Sequence, residues 1–239
     1  MRYWHKFWES FPSVYGEMEF LRQVGRVVDG KPISEELFRV IVDSIVTHLA
    51  ATPTDDVLDL CCGNGIITRE VARQCRSIVG VDYSSRLIEI AKKHNASRNI
   101  SYVCADVMDL PVMLQGRFDK AYMYEAIQYF SEQQFAHILA ACRLFAKDTP
   151  CFLVGSIPDV SKKWRFYDTL SRRCDWLKRT LTNREVIGHW WERDAIRRLC
   201  ADAHLMVRFI EQNPLLHTAH YRFDVLIGEG AFATNSTPT

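Results

Sequence analysis

Between residues 56 and 157, short apolar runs alternate with segments of helical periodicity, and no other feature of the chain restricts its fold as strongly. Asp56-Val57-Leu58-Asp59-Leu60 has the length and content of a short buried strand, and 66–74 reads as a helix. Further strands are expected over 77–81, 100–104 and 151–157, with another beginning over 118–122. Between them lie a helix over 85–93 and a helical stripe of Phe135, Ile138, Leu139, Cys142 and Phe145. Strands spaced by helices form βαβ units, so the chain is α/β with a largely parallel sheet. Such sheets bind ligands at the carboxyl ends of their strands.

The flanking segments fit one domain. At 239 residues and 48 % hydrophobic content, the chain can bury one sizeable core. Residues 1–33 form an aromatic helical cover containing Tyr3, Trp4, Phe7, Trp8 and Phe11. Ser34 caps the next helix, whose Leu37, Ile41, Ile45 and Leu49 share a face. Residues 34–157 are the core, expected to hold a cofactor at its strand ends. The βα rhythm breaks over 158–191, a stretch too long for a plain connection, which reads as a substrate lid. A helix and two strands follow within 192–230, and 231–239 is a polar tail.

Composition removes several classes. A net charge of +1 gives no global field for nucleic acid or an anionic membrane. The eight cysteines include no CxxC pair, so no metal site is expected, and buried reduced thiols in a cytoplasmic protein are the plain reading. No apolar run has the length of a membrane span, and Met1 to Glu9 lacks the apolar centre of a signal peptide.

The run Asp59-Leu60-Cys61-Cys62-Gly63-Asn64-Gly65 leads a strand through a glycine turn into a helix. Glycines there admit positive φ and a close ligand. Dinucleotide binding by GxGxxG would need a glycine where Thr68 stands, and a P-loop would need Gly-Lys-Ser/Thr. Two further acids follow strands: Asp82, able to accept both ribose hydroxyls, and Asp106, able to accept from an adenine amino group. Carboxylates at successive strand ends suit a neutral nucleoside.

The runs DLCCGNG, GVDYSSRLIEIAK, ADVMDLP and FDKAYMYEAIQYF, in that order over roughly 33–157, resemble the class I S-adenosylmethionine-dependent methyltransferases of small-molecule type. The resemblance implies a Rossmann-like, three-layer sandwich. Its mostly parallel seven-stranded sheet has helices on both faces and ends in an antiparallel strand pair, here within 205–228. It implies S-adenosylmethionine as cofactor and S-adenosylhomocysteine as product. Asp59 and Gly63 would border the methionine part, Asp82 the ribose, and Tyr83, Asp106 and Val107 the adenine, with Tyr124 near the methionine end and Gly65 also among the cofactor-binding residues. The family's usual glycine is replaced here by Cys61.

The expected reaction is methyl transfer to O or N of a small molecule. Gln128 and Tyr129 follow the fourth strand of the alternation, and Gln128, His189 and His220 are the catalytic candidates. Substrate candidates are Arg165, Tyr167, Arg172, Arg173, Trp190, Trp191 and Tyr221: aromatics with arginines suit an anionic or sugar-like acceptor. His217, His220, Tyr221 and Arg222 cluster before the last strand. The alternatives are a nucleic-acid or protein methyltransferase and a non-catalytic partner subunit. The Asn/Asp-Pro-Pro-Tyr signature of base amino methylation is absent, so nucleic acid is not an expected partner.

Overall fold

The apolar run that opens the alternation lies mid-sheet, buried on both faces as its composition requires. The computed structural model describes residues 2–110, 114–182 and 186–229. A two-residue ladder of β1, Val27–Val28, and β2, Lys31–Pro32, turns at Asp29-Gly30, both at positive φ. In the main sheet, β3, Asp56–Leu60, pairs in parallel with β4, Ser77–Asp82, and with β6, Lys120–Tyr124. β5, Ile100–Cys104, extends one edge beside β4, and β7, Cys151–Pro158, follows β6. The last two strands are antiparallel: β9, Arg222–Gly228, on β7, and β8, Met206–Glu211, on β9. The order is β5-β4-β3-β6-β7-β9-β8, the expected seven strands with a C-terminal antiparallel pair.

Alternation along each strand builds two cores. Val57, Tyr122, Tyr124 and Leu153 face one side, joined by Ile41, Ile45 and Leu49 of α3, Glu35–Leu49, and Ile66, Ile67 and Val71 of α4, Ile66–Val71. Leu58, Leu60, Met123, Phe152 and Val154 face the other, with Phe135, Ile138 and Leu139 of α6, Glu132–Phe145, and Ile196 and Cys200 of α9, Arg193–Asp202. α5, Ser85–His94, sets Ile88 and Ala91 beside Tyr102. Serine oxygens at Ser34, Ser84 and Ser131 accept from amides of the first turns of α3, α5 and α6.

The N-terminal segment supplies α1, Arg2–Ser10, and the short α2, Phe20–Gln23. The 158–191 excursion is closed at its neck: the Trp191 amide donates to Pro158 O at 2.8 Å, and the Val160 amide to Trp191 O at 3.0 Å. It carries α7, Lys163–Phe166, and α8, Leu170–Leu181, which buries none of its residues. Phe118 does not open β6. It makes an isolated bridge to Ala146, while the Asp119 side chain accepts from the Asp56 amide and delays pairing to Lys120. All eight cysteines are unbridged, and Cys142 and Cys200 are buried as expected, but Cys104 is exposed on the edge strand. No helix among the described residues is long and apolar enough to cross a membrane.

Trp191 anchors the neck to the main core. It is fully buried, meets Phe135 edge-on at 5.3 Å and donates Nε1–H to Ile127 O at 3.3 Å. Trp191→Ala should cost about 3–5 kcal/mol through the cavity it leaves. Trp191→Phe should cost less, losing one hydrogen bond and part of the ring. Urea unfolding checks both; an unchanged midpoint for the alanine variant would contradict this anchoring.

Candidate functional site

The sheet order reverses at β3. The chain winds outward through β4 and β5, then returns to β6 on the opposite side of β3, and the loops leaving β3 and β6 part there. That divergence is where open α/β sheets hold ligands. Cys61 opens the β3 turn at φ +60°, Gly63 lies at +59° and Gly65 at +75°. The left-handed backbone at Cys61 explains why a glycine is usual there. A Cβ on Gly65 would lie 2.4 Å from the Tyr102 hydroxyl, so this glycine secures the close passage of the turn under β5. The Gly63 amide donates to Asp82 Oδ2 at 2.9 Å, tying the turn to the end of β4.

Asp59 is almost fully buried. The Thr68 and Tyr122 hydroxyls both donate to its Oδ2 at 2.6 Å, yet burial outweighs them and pushes the carboxyl up to about 7. Asp82 is pushed up to about 6, again chiefly by burial, against amide donors from Ser84 and Gly63. Asp106 accepts from the Met108 amide at 2.9 Å and faces His5 Nε2 at 3.5 Å. His5 stacks on Tyr83, with ring centroids 4.3 Å apart and planes within 13°.

These groups open into one cavity of about 450 Å³. Asp82, Tyr83, Asp106 and Val107 line it beneath β4 and β5; Asp59, Gly63 and Tyr124 line its middle. Toward β7 and β9 its walls are Gln128, Tyr129, Phe166, Ile187, Tyr221 and Arg222. Helix α1 covers it with Trp4, His5, Phe7 and Trp8, and Trp4 rests on Tyr129 at 4.7 Å between centroids.

The middle and far walls hold a buried charge cluster. Arg26 Nη1 lies 2.5 Å from Glu125 Oε2, and Arg222 Nη1 lies 3.9 Å from Oε1. Burial alone would raise Glu125, but the two guanidiniums outweigh it and hold the carboxyl below its usual range. Glu125 and Ser156 both sit at positive φ, near +60°, a conformation costing non-glycine residues about 1–3 kcal/mol. Arg222 Nη1 donates to Ser156 O at 2.6 Å, and the Ser156 amide donates to Asp224 at 2.7 Å, so these contacts hold the strained backbone.

The structure gathers Asp59, Gly63, Asp82, Tyr83, Asp106, Val107, Tyr124, Gln128 and Tyr221 around the cavity. Gly65 acts sterically behind the turn. The expected lid residues lie elsewhere. Arg165, Arg172 and Arg173 are exposed; Arg172 pairs with Asp168, and Arg173 stacks on Trp164. Tyr167 and Trp190 pack into a small aromatic cluster, and Trp191 belongs to the main core. His189 and His220 are exposed and meet Trp191 and Tyr221 in edge-to-face contacts, outside the cavity lining, whereas His217 reaches it. Sequence reasoning missed Arg26, Glu125 and the α1 aromatics as site residues. The 4, 7, 8, 11 spacing of Trp4, Phe7, Trp8 and Phe11 was a readable apolar stripe; nothing local marked Arg26.

The fold is an open α/β sheet with three carboxylates gathered at the ends of its strands. Residues 57–148, less than half of the chain, match the family model described as a methyltransferase domain. The chain is 39 % identical over 92 residues, 36 % of its length, to 2-phytyl-1,4-naphtoquinone methyltransferase of a Nostoc species, and covers 40 % of that protein. It is 26 % identical over 146 residues, 60 % of its length and 56 % of the relative, to ubiquinone biosynthesis O-methyltransferase of Chromobacterium violaceum. It thus spans about half or less of the curated relatives it matches. Among solved structures, magnesium protoporphyrin IX methyltransferase of Synechocystis with bound S-adenosylhomocysteine shares the fold at a TM-score of 0.62 and 14 % identity, covering 95 % of this chain and 94 % of that one.

The site fits a nucleoside cofactor on its own geometry: an open cavity beside two raised carboxylates, and a turn whose positive-φ glycines bring backbone close to it. Asp82 gives a signed pH dependence. If ribose hydroxyls donate to its ionised form, binding lowers its pKa and releases a proton below about pH 6. S-adenosylhomocysteine affinity should fall, by up to about tenfold per pH unit, as pH drops through 6. Asp82→Asn should bind more weakly at pH 7.5 and lose this slope. Calorimetry across pH 5–8 checks it; a flat profile in the unsubstituted protein would contradict the assignment.

Proposed function

We propose that the chain transfers the methyl group of S-adenosylmethionine to an O or N atom of a small, largely apolar, ring-bearing molecule. The observation that carries this reading is the single cavity joining the strand-end carboxylates to a chamber walled by Tyr129, Phe166, Tyr221 and the α1 tryptophans. Apolar walls with a few convergent polar groups suit a small ligand. The relatives named for quinones and a porphyrin support a ring-bearing acceptor.

In this reading Asp82 accepts from the ribose hydroxyls, and Asp106 and Tyr83 border the adenine. Arg26 reaches the methionine end beside Tyr124, its guanidinium carbon 5.5 Å from that ring centroid. The cofactor, when bound, supplies an electrophilic methyl on a sulfonium. The chain's own work is positioning: α1 and the aromatic walls exclude water and hold the acceptor in line. Burial pushes Tyr129 up to about 12, so it stays protonated and its hydroxyl proton is available to an acceptor oxygen. Burial lowers His217 below its usual value, leaving it neutral at pH 7 and able to take a proton from a hydroxyl acceptor.

Incubation with radiolabelled S-adenosylmethionine and a panel of hydroquinones, phenols and aromatic amines tests the proposal. Label should enter at least one of them. For a phenolic acceptor, His217→Gln should lower kcat about 100-fold with cofactor affinity retained. Label entering RNA or protein and no small molecule would overturn the reading.

A further inference from the structure

The buried charges of the chamber are not balanced. Arg26 and Arg222 face a single carboxylate, Glu125, and Glu125 is committed to Arg26 at 2.5 Å. Arg222 stands 3.9 Å from the remaining oxygen and is 5 % exposed. Its Nη1 donates to Ser156 O, while Nε is buried with no hydrogen-bond partner. A buried guanidinium with a donor unsatisfied is costly unless something completes it. Arg222 lines the cavity, and the neighbouring titratable groups supply no second anion: burial lowers His217, and Tyr221 meets the guanidinium with a neutral hydroxyl and with its ring, whose centroid lies 5.2 Å from the guanidinium carbon. Asp224, next along β9, is engaged by the Ser156 amide and by Gln212 Nε2 at 3.0 Å, and burial pushes it up to about 6, toward neutrality.

We propose that Arg222 anchors a carboxylate carried by the ring of the methyl acceptor, making the substrate class aromatic carboxylic acids. This rests on the methyltransferase reading of the same cavity and names its acceptor. One unmatched positive charge calls for a monoanion. A phosphate dianion would meet Glu125 across the same guanidinium, and its hydration would be lost against aromatic walls. The planar fork suits a carboxylate, and Phe166, Tyr221 and Ile187 supply the apolar faces for the attached ring. The positive pole therefore lies on β9, not on the exposed arginines of the excursion.

Trp4 and Trp8 line the cavity, so tryptophan fluorescence reports occupancy. The full chain, saturated with S-adenosylhomocysteine, is titrated with 2-naphthoate, 2-naphthamide and 2-naphthyl phosphate. Naphthoate should bind at least tenfold more tightly than either of the others. Arg222→Gln should abolish the preference for naphthoate over naphthamide while naphthamide binding persists. Arg222→Lys should keep part of the preference and serves if the glutamine variant fails to fold. Equal affinity for naphthoate and naphthamide in the unsubstituted protein overturns the proposal, and tighter naphthyl phosphate binding replaces the carboxylate by a phosphate. A separate titration with S-adenosylhomocysteine reads the parent assignment. Its failure alongside retained naphthoate preference would remove the cofactor reading and leave the anion site standing.

Discussion

Every functional feature of this molecule depends on the reversal of sheet order at β3. Because β4 and β6 flank β3 and the chain leaves them in opposite directions, no connection can cover the carboxyl end of β3. The strand carries Asp59 to that uncovered end, and its neighbours deliver Asp82 and Glu125 beside it. The tight turn of Cys61, Gly63 and Gly65 follows from the same constraint, since the chain must leave β3 and enter α4 without filling the crevice. A cysteine in left-handed backbone and a glycine with no room for a Cβ are the local costs of that turn.

Charge is sorted along the cavity. Three aspartates run from the β5 side to the middle at β3, two of them raised by burial, and two guanidiniums lie toward β9 around one glutamate. The acidic end suits hydroxyl and amino donors, whereas the basic end suits an anion. Helix α1 spans both: His5 meets Asp106 and Tyr83 at one end, and Trp4 and Trp8 meet Tyr129 nearer the other. One element thus covers the sites of both proposed reactants.

The parallel core was legible because its signals are local. Asp56–Leu60, Ile100–Cys104 and the helix after Ser84 follow from apolar runs and caps, and the strand-end acids follow from their order. The β6 start was misplaced because Phe118, though apolar, is diverted to Ala146 by the Asp119–Asp56 contact, a pairing between residues far apart in sequence. The charged end of the cavity was not legible for the same reason. Arg26, Glu125 and Arg222 come from three distant segments and are united only by the sheet. The arginines that sequence made conspicuous, Arg165, Arg172 and Arg173, are conspicuous because their segment is solvated.

The central claim is that a single cavity seats the cofactor on the strand-end carboxylates and points its sulfur at the β9 chamber. A crystal structure of the chain with S-adenosylhomocysteine tests it most directly. The account predicts ribose hydroxyls on Asp82, adenine beside Asp106, and the sulfur facing the space bounded by Gln128, Tyr129 and Arg222. A ligand bound away from Asp82, or a sulfur turned from that chamber, would contradict it.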